Sequence, residues 1–171
     1  IKMLEKYSYL KCNKYTNYIE MFEKEKLDGV IIVTVAKTHL KIILDALKYN
    51  LKIFVEKPYT LNTNEIKQIE KIFNDNTKLM VGHTYLFNSS INYIKNYITD
   101  KFNNKYLNTV KTISFEWTSN GVRILDTTPI FDLCVHPLSI LFYLFPNKKI
   151  SNINSIKSSS GYSYFINFKL D

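Results

Sequence analysis

The chain has 171 residues, of which 46% are hydrophobic and 22% charged, and it carries a formal net charge of +8. That hydrophobic content is ample for a buried core, which excludes a disordered chain. Cys12 and Cys134 are too few for a disulfide framework, and the sequence has neither a secretory leader nor an apolar run of membrane-spanning length. We therefore predict a globular, cytoplasmic protein with no membrane partner.

The positive charge does not indicate nucleic acid binding. Arg123 is the only arginine, and the longest basic run is Lys148-Lys149. Nucleic acid sites usually concentrate lysine and arginine on one face, whereas the lysines here are spread along the whole chain. We predict no nucleic acid partner.

The first half of the chain alternates between strand and helix patterns. A short amphipathic helix precedes the β-branched run Val30–Val35, whose continuity predicts a parallel strand that is central and covered on both faces. In chain order we predict a helix over 16–26, a strand over 30–35, a helix over 39–49 capped by Asn50, a strand over 51–55, a helix capped by Asn62 or Thr63, and a strand over 78–82. This order predicts a doubly wound α/β arrangement with a parallel sheet.

The pattern changes after Gly82. We predict a helix over 89–97, a strand over 109–117, a loop through Gly121, an apolar segment over 130–145, and strands over 150–157 and 162–168. Alternating polar and apolar residues in the last two strands predict an antiparallel sheet with one exposed face. We place a domain boundary between Gly82 and Asn88, which gives domains 1–84 and 85–171.

Two short motifs carry the residues most suited to proton handling. Glu56-Lys57-Pro58 follows an apolar strand, and Asp132-Leu-Cys-Val-His136 places a carboxylate and an imidazole four residues apart. A histidine titrates near pH ~6.5, so it can exchange protons at neutral pH, and a lysine can stabilise a developing alkoxide. Lys57 as a solvated loop residue, and His136 as a core histidine with Asp132 as a helix N-cap, are the structural alternatives.

Three further residues have more than one interpretation. His83 is either structural or adjacent to a substrate, and His39 either caps or packs at a helix start or lies beside a cofactor. Arg123 suits a phosphate or carboxylate but would also form a surface salt bridge. Cys134 is predicted to be a small buried apolar residue, because no zinc-ligand spacing surrounds it, and no metal is expected.

Five elements in order resemble the Gfo/Idh/MocA oxidoreductases, which include glucose-fructose oxidoreductase and inositol dehydrogenase. The matching elements are Asp28-Gly-Val-Ile-Ile-Val-Thr34, Thr38-His39, Glu56-Lys57-Pro58, Val81-Gly-His-Thr-Tyr85 and Asp132-Leu-Cys-Val-His136. The resemblance covers nearly the whole chain. It implies a partial Rossmann domain lacking its first strands, followed by part of an α+β domain with a mainly antiparallel open sheet.

The resemblance also implies an activity, namely hydride transfer between a sugar or nucleotide-sugar hydroxyl carbon and NAD or NADP. His136 would be the general acid/base, Asp132 would orient and tune it, and Lys57 would bind the reacting oxygen and the nicotinamide ribose. The cofactor-binding residues implied are Thr34, His39, Glu56, Lys57 and Pro58, although Val35-Ala36-Lys37 replaces the family's usual proline-containing turn.

The substrate-binding residues implied by the resemblance are His83, Tyr85, Asn88 and Arg123. The stretch from Val81 to Asn88, with Trp117 and Asp126, is similar to members that oxidise UDP-N-acetylglucosamine-type sugars. Leu86 stands where many members have arginine, and Ser89 replaces a frequent proline. Family members commonly form oligomers, so a homo-oligomer is expected of the full-length form.

The glycines point to a second hypothesis. No G-x-G-x-x-G can be written from Gly29, Gly82, Gly121 and Gly161, so the dinucleotide-binding turn is not in these residues. If the chain is a fragment of a longer enzyme, that turn would precede Ile1. If it is the whole product, it would be a non-catalytic remnant that binds sugar or forms oligomers, with the edge beside Val30–Val35 exposed and prone to association.

Overall fold

The structure is a computed structural model that describes residues 12–73, 78–100, 112–116, 127–159 and 163–171. Arg123, Trp117, Asp126 and the loop through Gly121 lie outside the described residues. Four of the nine residues of the strand predicted over 109–117 also lie outside them, and the described part, 112–116, has no strand assignment. No helix within the described ranges is long and apolar enough to cross a membrane.

Three parallel strands form the first sheet, in the order β1-β2-β3. They are β1 (Gly29–Ile32), β2 (Lys52–Val55) and β3 (Leu79–Val81), connected by helices α2 (His39–Lys48) and α3 (Thr63–Ile72) and preceded by α1 (Tyr18–Lys24). The predicted alternation of strand and helix is therefore confirmed. The prediction that the first strand is central was wrong for the described chain, because β2 occupies the middle position.

Helices cover one face of this sheet. Ile32, Ile53 and Val55 point to that face and are buried against Ile43 and Ile69 of the two connecting helices. The opposite face carries Ile31, Phe54 and Met80, which share one register row, and Ile31 is 70% exposed. The continuous apolar run was predicted to be covered on both faces, and within the described residues that prediction was wrong. A continuous β-branched run is typical of a strand covered on both faces, but the run does not identify the segments that would cover the second face.

Asparagines lie at three helix ends, of which Asn50 and Asn62 were predicted and Asn17 was not. Asn17 accepts a hydrogen bond from Ile19 N at 2.9 Å, and Asn62 accepts from the backbone N–H groups of Asn64 and Glu65. Asn50 has φ of 56°, the left-handed conformation predicted for the residue that ends α2. These contacts satisfy backbone groups that a helix end leaves without intrahelical partners.

The described residues of the second half form three helices and a two-stranded antiparallel sheet. The elements are α4 (Ser89–Asp100), α5 (Pro129–Leu133), α6 (Val135–Leu144), β4 (Ile150–Lys157) and β5 (Tyr164–Leu170). Ile140, Leu141, Leu144 and Phe145 form their core. The predicted antiparallel pairing is confirmed, and burial alternates along β5 as predicted, but β4 is exposed at every position from Asn152 to Lys157, so the prediction of one exposed face was wrong for β4.

The helix that carries the Asp-His motif is interrupted at Cys134, between α5 and α6. Pro137 has no N–H to donate to the carbonyl of Leu133, and its ring opposes a continuous helix there. Pro137 lies instead in the first turn of α6, where a proline is tolerated. The break places Asp132 on one short helix and His136 on the next.

Candidate active site

The side chain of Lys57 links the end of β2 to the Asp-His segment. Its Nζ donates to the main-chain oxygen of Asp132 at 2.9 Å and forms a short ion pair with the carboxylate of the same residue. The Lys57 side chain is 17% exposed and that of Asp132 is 11% exposed. A lysine in a solvated loop would not be so covered, so this alternative for Lys57 is wrong.

The carboxylate of Asp132 therefore has a partner that the sequence did not reveal. The N-cap residue of α5 is Thr128 and that of α6 is Cys134, so Asp132 is not a helix N-cap. The negative charge of Asp132 still raises the pKa of His136. Burial and the positive charge of Lys57 lower the same pKa by more. Direct orientation of the imidazole by Asp132 stays a prediction.

His136 lies in the first turn of α6, with its ring against the ring of Tyr85. The ring centroids are 4.9 Å apart in an edge-to-face arrangement with an interplanar angle of 69°. Burial and the positive charge of Lys57 lower the pKa of His136, more than Asp132 raises it. The imidazole is thus favoured in its neutral form, which can accept a proton.

His83 follows β3 and belongs to the same group of residues. Burial lowers the pKa of His83, and its Nδ1 is buried without a hydrogen-bond partner among the described residues. The positive charge of a protonated His83 would also lower the pKa of His136. A buried polar atom without a partner is costly, so His83 is a candidate for binding a hydroxyl group.

Gly82 allows Glu56 to lie close to the chain that leads into His83. A Cβ at position 82 would lie 3.3 Å from Oε1 of Glu56 and 3.3 Å from Cζ of Phe54. The backbone N–H of Glu56 donates to the carbonyl of Ile32 at 2.9 Å, which joins this residue to the end of β1. Because Gly82 has no side chain, Glu56 at the end of β2 can lie close to the chain that follows β3.

His39 connects the turn after β1 to the loop that contains Lys57. Its Nδ1 is 2.9 Å from the carbonyl oxygen of Pro58, and its Nε2 is 3.1 Å from the carbonyl oxygen of Thr34. The side chain is 1% exposed, which confirms packing at the helix start. The helix N-cap is Thr38, whose hydroxyl is 2.7 Å from that of Thr34. Contact of Thr34 or His39 with a cofactor stays a prediction.

The predicted substrate residues are only partly brought together. Tyr85 lies in a 3-10 helix (Thr84–Phe87) and contacts His136. The side-chain oxygen of Asn88 accepts from Ser90 N at 2.9 Å, so that oxygen stabilises the start of α4. Arg123 lies outside the described residues.

The candidate site as a whole lies at the carboxyl ends of three parallel strands, where open α/β sheets bind their ligands. Thr34, Glu56 to Pro58, and His83 come from the ends of β1, β2 and β3 in turn. The exposed turn at Thr34 and the ammonium of Lys57 suit the nicotinamide end of a dinucleotide. The pyrophosphate cradle would need the glycine-rich turn, which the sequence does not contain. No cluster of three or more metal-ligating side chains occurs among the described residues.

Sequence reasoning missed the contacts made by tertiary packing. The Lys57–Asp132 pair joins residues 75 positions apart, and no periodicity indicates it. The double contact of His39 was also missed. Cys134 was predicted to be buried but is only partly buried, and the burial that it has raises the pKa of its thiol.

Comparison with known proteins finds a family similarity in the first half of the chain. Residues 4–83 match the sequence model of Gfo/Idh/MocA, described as an oxidoreductase family with an NAD-binding Rossmann fold. The predicted nicotinamide cofactor agrees with this NAD-binding family. No curated protein matches the sequence significantly.

Solved structures share the fold across most of the chain. Myo-inositol dehydrogenase from Lactobacillus casei, in complex with NAD(H) and myo-inositol, has 16% identity and a TM-score of 0.70, covering 91% of this chain and 45% of that one. Scyllo-inositol dehydrogenase from the same organism, with bound NAD(H) and scyllo-inositol, has 17% identity and a TM-score of 0.66, covering 91% and 51%. An NAD-binding protein from Listeria innocua has 20% identity and a TM-score of 0.69, covering 96% and 51%. The chain thus spans about half the length of the structures it matches.

Proposed function

We propose that the natural protein is an NAD- or NADP-dependent dehydrogenase, because residues 4–83 match the model of the Gfo/Idh/MocA oxidoreductase family and its NAD-binding Rossmann fold. Its substrate would be a sugar or another polyol, oxidised at a secondary hydroxyl carbon. The observation that carries this proposal is the contact of Lys57 with Asp132, which lies four residues before His136. The contact joins the end of a Rossmann strand to the proton-handling residues of the second half.

Oxidation of a carbinol requires a proton acceptor for its hydroxyl group. The nicotinamide, when bound, supplies the acceptor for the hydride that leaves the carbinol carbon. The hydroxyl proton passes to the imidazole of His136 as the carbonyl forms. Because burial and Lys57 lower the pKa of His136, the imidazole is ready to accept that proton at neutral pH.

Lys57 stabilises the negative charge that develops on the substrate oxygen. An ammonium aimed at a developing alkoxide contributes on the order of a few kcal/mol when water is excluded. The carboxylate and main-chain carbonyl of Asp132 hold the ammonium at the end of β2 and limit its freedom to turn into solvent. Asp132 thereby positions Lys57 and moderates its effect on His136.

His83 and Tyr85 are the described residues best placed to bind the rest of the substrate. His83 offers a buried ring nitrogen, and Tyr85 is next to His136. Substrates bound in two of the similar structures are inositols, which favours a cyclic polyol here. The motif from Val81 to Asn88 is similar to that of nucleotide-sugar dehydrogenases, so a nucleotide-sugar is the alternative substrate.

The test is cofactor reduction, followed at 340 nm, with myo-inositol, scyllo-inositol and UDP-N-acetylglucosamine and with NAD and NADP in turn. It uses the natural gene product that contains this chain, the variants Lys57→Met and His136→Asn, and Lys24→Met as a matched control. Lys24 forms a surface ion pair and its side chain is 61% exposed. We expect activity in the wild type and the control, and a loss of roughly 10²- to 10⁴-fold in the other two. Full activity of His136→Asn would refute the assignment.

A non-catalytic remnant is the second candidate, because the glycines of this sequence cannot form a dinucleotide-binding turn. Titration of NADH fluorescence separates the two. Binding by the natural gene product supports the dehydrogenase, and absence of binding to NADH and NADPH supports the remnant.

Self-association is a further part of the proposal. The antiparallel sheet exposes Ile153, Ile156 and Phe165, and large apolar side chains grouped on one sheet favour a protein contact. We expect a homo-oligomer by sedimentation velocity. A monomer at micromolar concentration would count against it.

A further inference from the structure

His39 occupies an unusual position for a residue at the start of a helix. Its imidazole is almost fully buried, and each ring nitrogen faces a main-chain carbonyl oxygen. One carbonyl belongs to Thr34, in the turn after β1. The other belongs to Pro58, which directly follows Lys57. A carbonyl oxygen only accepts hydrogen bonds, so a ring with one N–H donates to one of these carbonyls, and a ring with both nitrogens protonated donates to both. Through these contacts a single side chain touches two of the loops that form the candidate site.

The contact between His39 and Pro58 restrains the main chain next to Lys57, whereas the contact with Asp132 restrains the Lys57 ammonium group. Lys57 leaves β2 at a loop whose main chain is held at Pro58 by His39, while its side chain is held at Asp132. Main-chain carbonyls next to a functional residue fix where its Cα lies. A displacement of about 1 Å at a reacting group can cost on the order of 100-fold in rate.

We propose that His39 is a positioning residue that acts through its two ring nitrogens on different parts of the reaction. The Nδ1 contact with Pro58 holds Lys57 in place for the developing alkoxide. The Nε2 contact with Thr34 holds the turn after β1, on the cofactor side of the site. This inference rests on the proposed dehydrogenase function, and it adds a division of roles within one buried imidazole.

Two conservative substitutions separate the contacts. The amide nitrogen of asparagine is attached to Cγ, as Nδ1 of histidine is, so His39→Asn can keep the bond to Pro58. The amide nitrogen of glutamine extends one atom farther, as Nε2 does, so His39→Gln can keep the bond to Thr34. Asn62→Ala is the control, since it removes a helix cap beside the same loop and leaves His39 unchanged.

The experiment measures two quantities in the natural gene product. One is hydrogen exchange of the cofactor-free protein over residues 57–62, and the other is kcat and KM for the cofactor. We expect His39→Gln to speed exchange over 57–62 and to lower kcat by roughly 10- to 100-fold with little change in KM. We expect His39→Asn to raise KM for the cofactor and to leave kcat within about 3-fold of the wild type, like Asn62→Ala.

Equal losses of kcat in His39→Gln and His39→Asn, or a loss of stability with kcat unchanged in both, would overturn the division of roles. If the wild type transfers no hydride, the proposed function fails. Hydrogen exchange alone then tests whether the contact of His39 with Pro58 restrains residues 57–62. Faster exchange over 57–62 in His39→Gln than in His39→Asn supports the positioning of Lys57. Identical exchange in the two variants overturns it.

Discussion

Removing the carboxylate of Asp132 tests whether its contact with Lys57 organises the site. Asp132→Ala leaves Lys57 with the main-chain oxygen of residue 132 as a partner, and it removes the ion pair. Asp132→Asn removes only the charge, because the amide oxygen can still accept a hydrogen bond. The two variants therefore separate the loss of charge from the loss of contact.

The size of the effect follows from burial. Exposed ion pairs contribute roughly 0–1 kcal/mol, whereas removing one partner of a buried pair costs about 3–5 kcal/mol. The side chains of Lys57 and Asp132 are 17% and 11% exposed, and one hydrogen bond to the lysine survives. We therefore expect the free energy of unfolding to fall by about 2 kcal/mol in Asp132→Ala and by about 1 kcal/mol in Asp132→Asn.

Urea denaturation at neutral pH measures this change. With a slope of about 2 kcal/mol per molar, a loss of about 2 kcal/mol lowers the midpoint by roughly 1 M. Glu20→Ala is the matched control, because Glu20 forms an exposed ion pair with Lys24 and its loss should cost less than about 0.5 kcal/mol. If Asp132→Ala destabilises no more than Glu20→Ala, the contact with Lys57 does not have the importance given to it here.

Three further predictions concern charge, pH and space. In ring-proton NMR titrations, Asp132→Asn should lower the pKa of His136 and Lys57→Met should raise it; shifts in the same direction would contradict the site's electrostatics. The folded-state pKa values of His83 and His136 lie below the ordinary 6.5, so the unfolded chain binds more protons as pH falls. The free energy of unfolding should therefore fall as the pH drops from about 6.5 through the lowered pKa values of the two histidines. Urea denaturation near pH 7.5 and 5.5 measures this loss, and an unchanged midpoint would contradict the prediction. Gly82→Ala should lower the free energy of unfolding by about 1 kcal/mol, because its Cβ would crowd two side chains at 3.3 Å, and wild-type stability would refute this.

The elements of the first half were predictable because their signals are local. Asn62 and Asn50 mark helix ends through hydrogen bonds and backbone conformation that involve only neighbouring residues. Such features follow from a few adjacent residues, so the sequence alone was sufficient for them.

The arrangement of the site was less predictable because it depends on packing. The strand containing Ile31 has the same β-branched composition whether neighbours cover one face or both. The motifs of Lys57 and Asp132 were recognised separately, but their ion pair requires two halves of the chain to pack together. The contacts of His39 with two carbonyls leave no mark on the hydrophobic pattern.

The pH dependence of kcat/KM tests the central claim most directly, namely that His136 accepts the hydroxyl proton. It compares the wild type with His136→Asn over the acid range, using whichever substrate reduces the cofactor. We expect wild-type kcat/KM to decrease as the pH falls through the pKa of His136, which lies below 6.5. We expect His136→Asn to lack this acid decrease and to be slower by roughly 10²- to 10⁴-fold. An identical acid limb in both proteins would show that another group accepts the proton and would contradict the account.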